Sequence, residues 1–310
     1  MERSIIISSG RCGSTMLSDL IVEEPDTLSA QEFFMAMPWR STGEALSGSA
    51  YWEFMSRPRA DVATLFRIGL APEEVRYPTT GRWATDLGSM PHVMGITLAK
   101  LTDDPDTLYD RLGERVPGFP RQSMVRHHQD FLDVLAELLG RRRWVERSGG
   151  SSLITARLLA GYPSARIIYL TRNWADTARS MSRHPMFQLV QLRTEALNRF
   201  GVDPFELAPG DPVTDEMRPY LPERIDAVRL RERGADPGKF VHLCAFMSGQ
   251  AEQALADSPP AHLLTLAYED VLLDPVGQLT RVGEFLLFDD PAGWADQVGA
   301  RVKAPAGSAR

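Results

Sequence analysis

Lysine is almost absent from this chain. Among 310 residues only Lys100, Lys239 and Lys303 are lysines, within a Lys plus Arg total of 34. A Walker phosphate loop, G-x-x-x-x-G-K-[ST], is excluded at the first glycine turn, because no lysine lies near it. Arginine therefore carries nearly all the positive charge, and it is the better bidentate partner for phosphate or sulfate. An excess of positive charge is missing too. Asp plus Glu total 41, for a formal net charge of −7, which argues against general nucleic-acid or anionic-membrane binding. Cys12 and Cys244 are the only cysteines, too few for a disulfide framework or a Cys-rich zinc site. No metal-ligand cluster stands out, so no metal is expected. No apolar run approaches about 18 residues, so no membrane span is expected. Met1-Glu2-Arg3 runs straight into Ile5-Ile6-Ile7 without the pattern of a signal peptide. These absences together predict a soluble, cytoplasmic protein, with homo-oligomerisation left open.

What is present reads as strands alternating with helices. With 43% hydrophobic residues the chain can bury a sizeable core, and a single domain spanning 1–310 is expected. Ser4–Ser8 is a β-branched run fit for a buried strand, and Met16, Leu17, Leu20 and Ile21 then recur at helical spacing. Phe131, Leu132, Leu135, Leu138 and Leu139 form a second helical stripe, followed by a strand at Trp144-Val145. A helix is read over Leu153–Gly161 and a strand over Ala165–Thr171. Asn173 then caps a helix running to about Arg183. Phe240–Ala256 reads as helix, Leu263–Leu266 as strand, and Pro275 as the first residue of a further helix. The fold class expected is α/β, with a central parallel β-sheet flanked by helices. Residues from about 35 to 128 and from 185 to 238 are richer in Pro, Gly and charge. They are expected as helical insertions over the sheet's carboxyl edge, where ligands bind in such folds.

Two strand-to-helix junctions carry chemistry. Ser9-Gly10-Arg11-Cys12-Gly13-Ser14-Thr15 follows the first strand. Helix N-terminal amides there are unpaired donors, the glycines admit close approach of a phosphate, and Arg11 adds a planar fork. The bland alternative is an ordinary turn whose Ser and Thr cap the helix. The second junction ends its strand on Arg172, with Ser180 eight residues further on. Its bland alternative is a local ion pair between Arg172 and Asp176. Two such junctions in one sheet suggest a ligand with two separated phosphates.

S-G-R-C-G-S-T-x-L after an N-terminal strand, then A-R-I-I-Y-L-T-R-N-W-x-D-x-x-x-S-M, resembles the sulfotransferase family, whose donor is 3′-phosphoadenosine 5′-phosphosulfate (PAPS). Leu264 to Val271 with Asp274-Pro275 and Gly283 to Leu286 is similar to that family's C-terminal segment. Trp144 to Gly150 looks like its preceding strand and loop. The resemblance implies a P-loop-like fold with helical insertions forming an acceptor-side lid. It also implies PAPS as sulfuryl donor, adenosine 3′,5′-bisphosphate as product, no metal, and a small-molecule, carbohydrate or lipid acceptor offering a hydroxyl. Carried over by position, Arg11 lies beside the bridging oxygen, and Cys12, where a serine is common, with Gly13, Ser14 and Thr15 holds the 5′-phosphate. Arg172 and Ser180 hold the 3′-phosphate, although Trp174 stands where the family often has proline. Family C-terminal loops reach the same phosphate; Arg301, Lys303 and Arg310 match them poorly, and their contact with the donor is left open.

Sulfuryl transfer to a hydroxyl calls for a positioned base. None of His92, His127, His128, His184, His242 and His262 lies in a matching motif, and His127-His128 is expected at the surface. Gln31-Glu32-Phe33-Phe34 is similar to a segment of the bacterial trehalose sulfotransferases in which the glutamate is the base. The resemblance makes Glu32, with Arg11, the catalytic pair. Phe33 and Phe34 are expected to flank and desolvate the carboxylate, making it a better base; the alternative is an acidic residue near the N-terminus of a lid helix. Met35, Met37, Trp39, Tyr51, Trp52, Phe54 and Met55 suit either an adaptable sugar-stacking pocket or the lid's own core. Two other functions stay open: a P-loop-like kinase using ATP, and a non-catalytic nucleotide-binding protein.

Overall fold

Three consecutive isoleucines stabilise a sheet most when both faces are covered, and Ile5, Ile6 and Ile7 have no exposed surface. The computed structural model describes residues 1–36, 45–72, 74–208, 210–259 and 261–303. In it, strand β1 (Glu2–Ser8) lies at the centre of a five-stranded sheet. It pairs parallel with β3 (Arg143–Arg147) on one side and β4 (Arg166–Thr171) on the other. β2 (Thr27–Gln31) pairs parallel with β3, and β5 (Leu263–Ala267) with β4, giving the order β2-β3-β1-β4-β5. The expected class, an α/β fold with a central parallel sheet and flanking helices, is the one observed.

One sheet face carries Ile6, Val145, Ile168, Leu170 and Leu266. These pack with Leu17, Leu20 and Ile21 of helix Ser14–Ile21, with Leu279 and Val282 of helix Pro275–Phe285, and with Trp294 and Val298 of helix Pro291–Gly299. Each such side chain taken out of water contributes about 1.5–3 kcal/mol. The helix opening at Pro275 is capped by Asp274, whose Oδ1 accepts from the Gly277 N–H at 3.1 Å. On the other face Trp144 Nε1 donates to Asp133 of helix Met124–Leu138 at 2.8 Å, and Arg3 pairs with the same carboxylate at 2.6 Å. β2 has little apolar sequence yet is wholly buried. Its Ser29 hydroxyl meets Ser18 Oγ at 2.8 Å and donates to the Ser18 carbonyl at 2.9 Å, which removes the cost of burying it.

One element divides. The helix read over Leu153–Gly161 divides into a 3₁₀ turn, Ser151–Ile154, and a helix, Thr155–Gly161. The helix after Arg172 is Trp174–Ser182. His127 and His128, expected at the surface, have no exposed area. His127 Nε2 lies 2.8 Å from the Leu46 carbonyl, and the His128 ring packs 4.9 Å from that of Phe33.

The chain divides into two compact units, Met1–Ser49 with Glu114–Asn173 and Phe246–Arg310, and Ala50–Gly113 with Trp174–Ala245. Leu46 to Ser49 and Glu114 to His128 fall in the first unit, tied to each other by backbone hydrogen bonds between Leu46 and Gln122 and from the Gly48 N–H to the Phe119 carbonyl, and the helix from Trp174 falls in the second. In that second unit Leu65 of helix Ala60–Arg67 packs with Leu189, Leu192 and Ala196 of helix Pro185–Phe200, and with Tyr220, Ile225 and Leu230. Asp61 anchors the same pair of helices, accepting from Arg193 at 3.0 Å and pairing with Arg59. Among the described residues no helix is long and apolar enough to cross a membrane.

Candidate functional site

The carboxyl ends of β1, β2, β3 and β4 each deliver a candidate residue. β1 runs into a loop whose Gly10, Arg11 and Gly13 all have positive φ, 77°, 56° and 91°. Glycine adopts that region freely and an L side chain does not. Gly13 is also required by close approach, because a Cβ there would fall 2.3 Å from Cδ2 of Tyr268. The loop then enters helix Ser14–Ile21, whose first amides are donors without intrahelical partners. Ser14 is buried, Thr15 half-buried. Cys12 is buried in the core between sheet and helices, and its thiol is pushed up by burial.

Arg172, directly after β4, folds onto this loop. Its Nη1 donates to the Arg11 carbonyl at 3.1 Å, and its guanidinium stacks over the Tyr268 ring at 4.7 Å. Asp176 pairs instead with Arg179 at 2.9 Å. The next residue's amide, Asn173 N–H, donates to Glu269 at 2.9 Å. The Tyr268-Glu269 pair that opens helix Tyr268–Leu273 thus supports both junctions. Ser180 lies half-buried on helix Trp174–Ser182, in the second unit; its partnership with Arg172 rests on the sequence resemblance alone.

Glu32 follows β2 with φ of 57°, a conformation that costs a non-glycine residue about 1–2 kcal/mol. The turn is held from β3. Glu32 N–H donates to the Arg147 carbonyl at 2.8 Å, and the Gly149 N–H donates to both Glu32 carboxylate oxygens at 3.0 and 3.1 Å. Arg147, itself buried, forms an ion pair with Glu32 through Nη1 and donates through Nη2 to Gln31 Oε1 at 2.5 Å. These are the contacts of an ionised carboxylate. Phe33 and Phe34 do not flank it as expected. Both are fully buried, Phe33 stacked on Phe131 at 4.9 Å and Phe34 against Tyr162 at 5.3 Å. The sequence alternation that sends Phe33 inward leaves Glu32 to the charged end of β3.

Gly149 joins the two halves of the site. A Cβ there would lie 3.3 Å from Glu32 Oε1 and 3.8 Å from Gly10 Cα. The loop of Arg11 and the carboxylate of Glu32 therefore meet at one sheet edge, with Arg172 on the loop's other side. The family resemblance covers Trp144 to Gly150 but gives Glu146, Arg147 and Ser148 no role. A Glu-Arg pair ending a strand among apolar residues was the available signal.

Other expected residues lie elsewhere. Arg301 pairs with Glu23, beyond the C-terminal end of helix Ser14–Ile21 and so away from the loop that opens it. Lys303 is exposed, and Arg310 lies outside the described residues, as do Met37 and Trp39. Met35, Trp52 and Phe54 are half-buried, whereas Tyr51 and Met55 are core residues; in the second unit the Trp52 ring packs 4.8 Å from that of Tyr109. His184 lies at the N-terminus of helix Pro185–Phe200 with Nε2 3.1 Å from Glu74.

No family model matches the chain, and no curated protein does. Among solved structures it is similar to the sulfotransferase domain from the curacin biosynthetic pathway, at 15% identity over 93% of this chain and 74% of that one, with a TM-score of 0.44. It is similar to sulfotransferase STF9 from Mycobacterium avium, at 15% identity over 98% and 69%, TM-score 0.47. It is also similar to the sulfotransferase domain of the Synechococcus PCC 7002 olefin synthase, at 15% identity over 99% and 90%, TM-score 0.42.

Proposed function

We propose that this chain is a sulfotransferase that passes a sulfuryl group from PAPS to a hydroxyl of a small-molecule, carbohydrate or lipid acceptor. The observation that carries the reading is the meeting, at the carboxyl edge of one parallel sheet, of a left-handed glycine loop, an arginine from the neighbouring strand and a buried-side carboxylate. A doubly phosphorylated donor fits these residues. The loop amides with Ser14 and Thr15 hold its 5′-phosphate, and Arg172, braced by Tyr268 and the Arg11 carbonyl, reads its 3′-phosphate. The donor supplies an activated sulfuryl group. Arg11 stabilises the negative charge that the departing phosphate oxygen takes with the electron pair of the broken bond. Glu32 accepts the proton of the acceptor hydroxyl as that oxygen attacks, and Arg147 keeps it ionised and aimed beforehand.

The test is direct. Adenosine 3′,5′-bisphosphate binds tightly and ATP negligibly, as measured by calorimetry, and Arg172→Ala removes most of that preference. A preference for ATP overturns the donor assignment in favour of a kinase. With an acceptor found by mass spectrometry of sulfated products, Glu32→Gln lowers turnover on the order of 10²–10⁴-fold. Unchanged turnover removes Glu32 as the base, and binding without turnover on any acceptor favours a nucleotide-binding protein.

A further inference from the structure

Behind the Glu32–Arg147 pair, on the opposite face of β3, lies a carboxyl group that the reaction does not use. Glu146 has no exposed surface. Its Oε1 accepts from the Phe34 N–H at 3.1 Å and from the Ser148 hydroxyl at 2.5 Å, and Ser148 Oγ accepts from the same Phe34 N–H at 3.1 Å. Its Oε2 has no hydrogen-bond partner among the described residues. A buried acid with one idle oxygen is costly. It is placed where it fixes a single amide, two residues beyond Glu32.

We infer that Glu146 is a positioning residue for Glu32, an inference that rests on the reading of Glu32 as the base. The segment Gln31 to Phe34 is clamped at both ends by consecutive residues of one strand and loop. Arg147 and Gly149 hold Gln31 and Glu32. Glu146 and Ser148 hold Phe34, the first residue of the 3₁₀ turn Phe34–Ala36. Between the two grips Glu32 keeps its positive φ. Without the second grip the Phe34 amide is free to move, the strain at Glu32 relaxes, and the carboxylate leaves its place at Gly149. Only an acceptor oxygen at position 146 is needed, so the neutral acid serves. Burial pushes this carboxyl up to about 8 from an ordinary 4.5, hydrogen bonds from Ser148 and Phe34 partly offset that, the charge of Glu32 adds to it, and Arg147 offsets a little more. The other titratable groups nearby are Tyr162, itself raised by burial and then by Glu146, and His128, stacked on Phe34.

Glu146→Gln and Glu146→Leu separate this role from simple packing. Gln keeps an oxygen for Phe34, and kcat stays near wild type. Leu keeps the volume and loses the oxygen. It lowers kcat on the order of 100-fold, the cost of misplacing a reacting group by an ångström, while KM for PAPS is unchanged. Amide exchange at Phe34 is fast in the Leu variant and slow in wild type and Gln. Should Glu146→Leu fail to fold, Glu146→Met, unbranched and without an oxygen acceptor, shifts exchange and kcat in the same direction. Wild-type exchange and kcat in Leu or Met overturn the inference. If no acceptor is ever turned over, the reading of Glu32 falls, and the exchange data still decide whether Glu146 holds the turn.

Discussion

Asp61 in the second unit and Glu146 beside the sheet are both almost wholly withdrawn from water, yet they are treated in opposite ways. Asp61 meets Arg59 and Arg193, and Arg193 also meets Asp203 at 2.6 Å. Burial alone would raise its pKa, but Arg59 and then Arg193 outweigh burial and hold the carboxyl well below the usual range. Glu146 receives one amide and one hydroxyl on a single oxygen, and burial prevails. The difference separates a brace from a poised group. At Asp61 every lone pair that is buried is used, and two helices are tied together. At Glu146 satisfaction is left incomplete next to the residues that would do chemistry, where polar groups are kept for geometry rather than for stability.

The comparison breaks or sharpens under four measurements. The largest effect is expected from Asp61→Ala, which takes the shared carboxylate from the half-buried Arg59 and the buried Arg193, leaving Arg193 only its acidic partners beyond that helix, and costs about 3–5 kcal/mol in denaturant unfolding of the full chain. A loss under about 1 kcal/mol would mean that Asp61 is no brace. Next, Arg147→Lys keeps a charge beside Glu32 but gives up one of two directed hydrogen bonds. It is expected to cost about 1.5–3 kcal/mol, measured the same way, and to lower kcat.

Third comes pH. The folded value of Glu146 lies above its unfolded one, so between about 4.5 and 8 the folded chain holds a proton that the unfolded chain has lost. Stability falls as pH rises through that window, by about 1.4 kcal/mol per unit from this group, and is flat from it outside the window. Glu146→Gln abolishes that slope. Asp61 has the opposite sign: its stabilisation is complete above an ordinary 3.8 and is lost only as pH falls toward its depressed folded value. A Gln variant whose pH–stability curve overlays wild type would equate the two groups. The smallest effect is expected from Asp110→Asn, which removes the exposed pair with Arg82 at 2.7 Å. It should change stability by less than about 1 kcal/mol, showing that burial rather than pairing gives Asp61 its weight.

Much of the sheet was legible because its strands are apolar runs. Ile5 to Ile7 and Ile167 to Leu170 can hardly be anything but buried strands between helices. β2 is not legible from its own residues, since Thr-Leu-Ser-Ala-Gln has no apolar period and its burial depends on Ser18, a residue of another element. The glycine loop and Arg172 were visible as residue types at the ends of strands. That Arg172 stacks on Tyr268, far along the chain, was not, because local pattern says nothing of cross-chain contact. Arg147 stayed hidden for a related reason. Which of Glu146 and Arg147 faces Glu32 depends on the register Gln31 with Arg147, fixed only when β2 and β3 pair. The link from Asp61 to Arg193 spans 132 positions and has no signature in either helix.

The central place of β1 sets an order of events during synthesis. It is the first strand to be made, yet both of its neighbours come late, β3 from residue 143 and β4 from residue 166. At roughly 5–20 residues per second of translation, its isoleucines wait on the order of ten seconds for a partner. The glycine loop waits longer still, because the ring that closes against Gly13 belongs to Tyr268. Of the five strands described, the one at the centre of the sheet thus waits longest for its partners. Shelter during that interval must come from the helix after the loop, or from whatever receives the nascent chain.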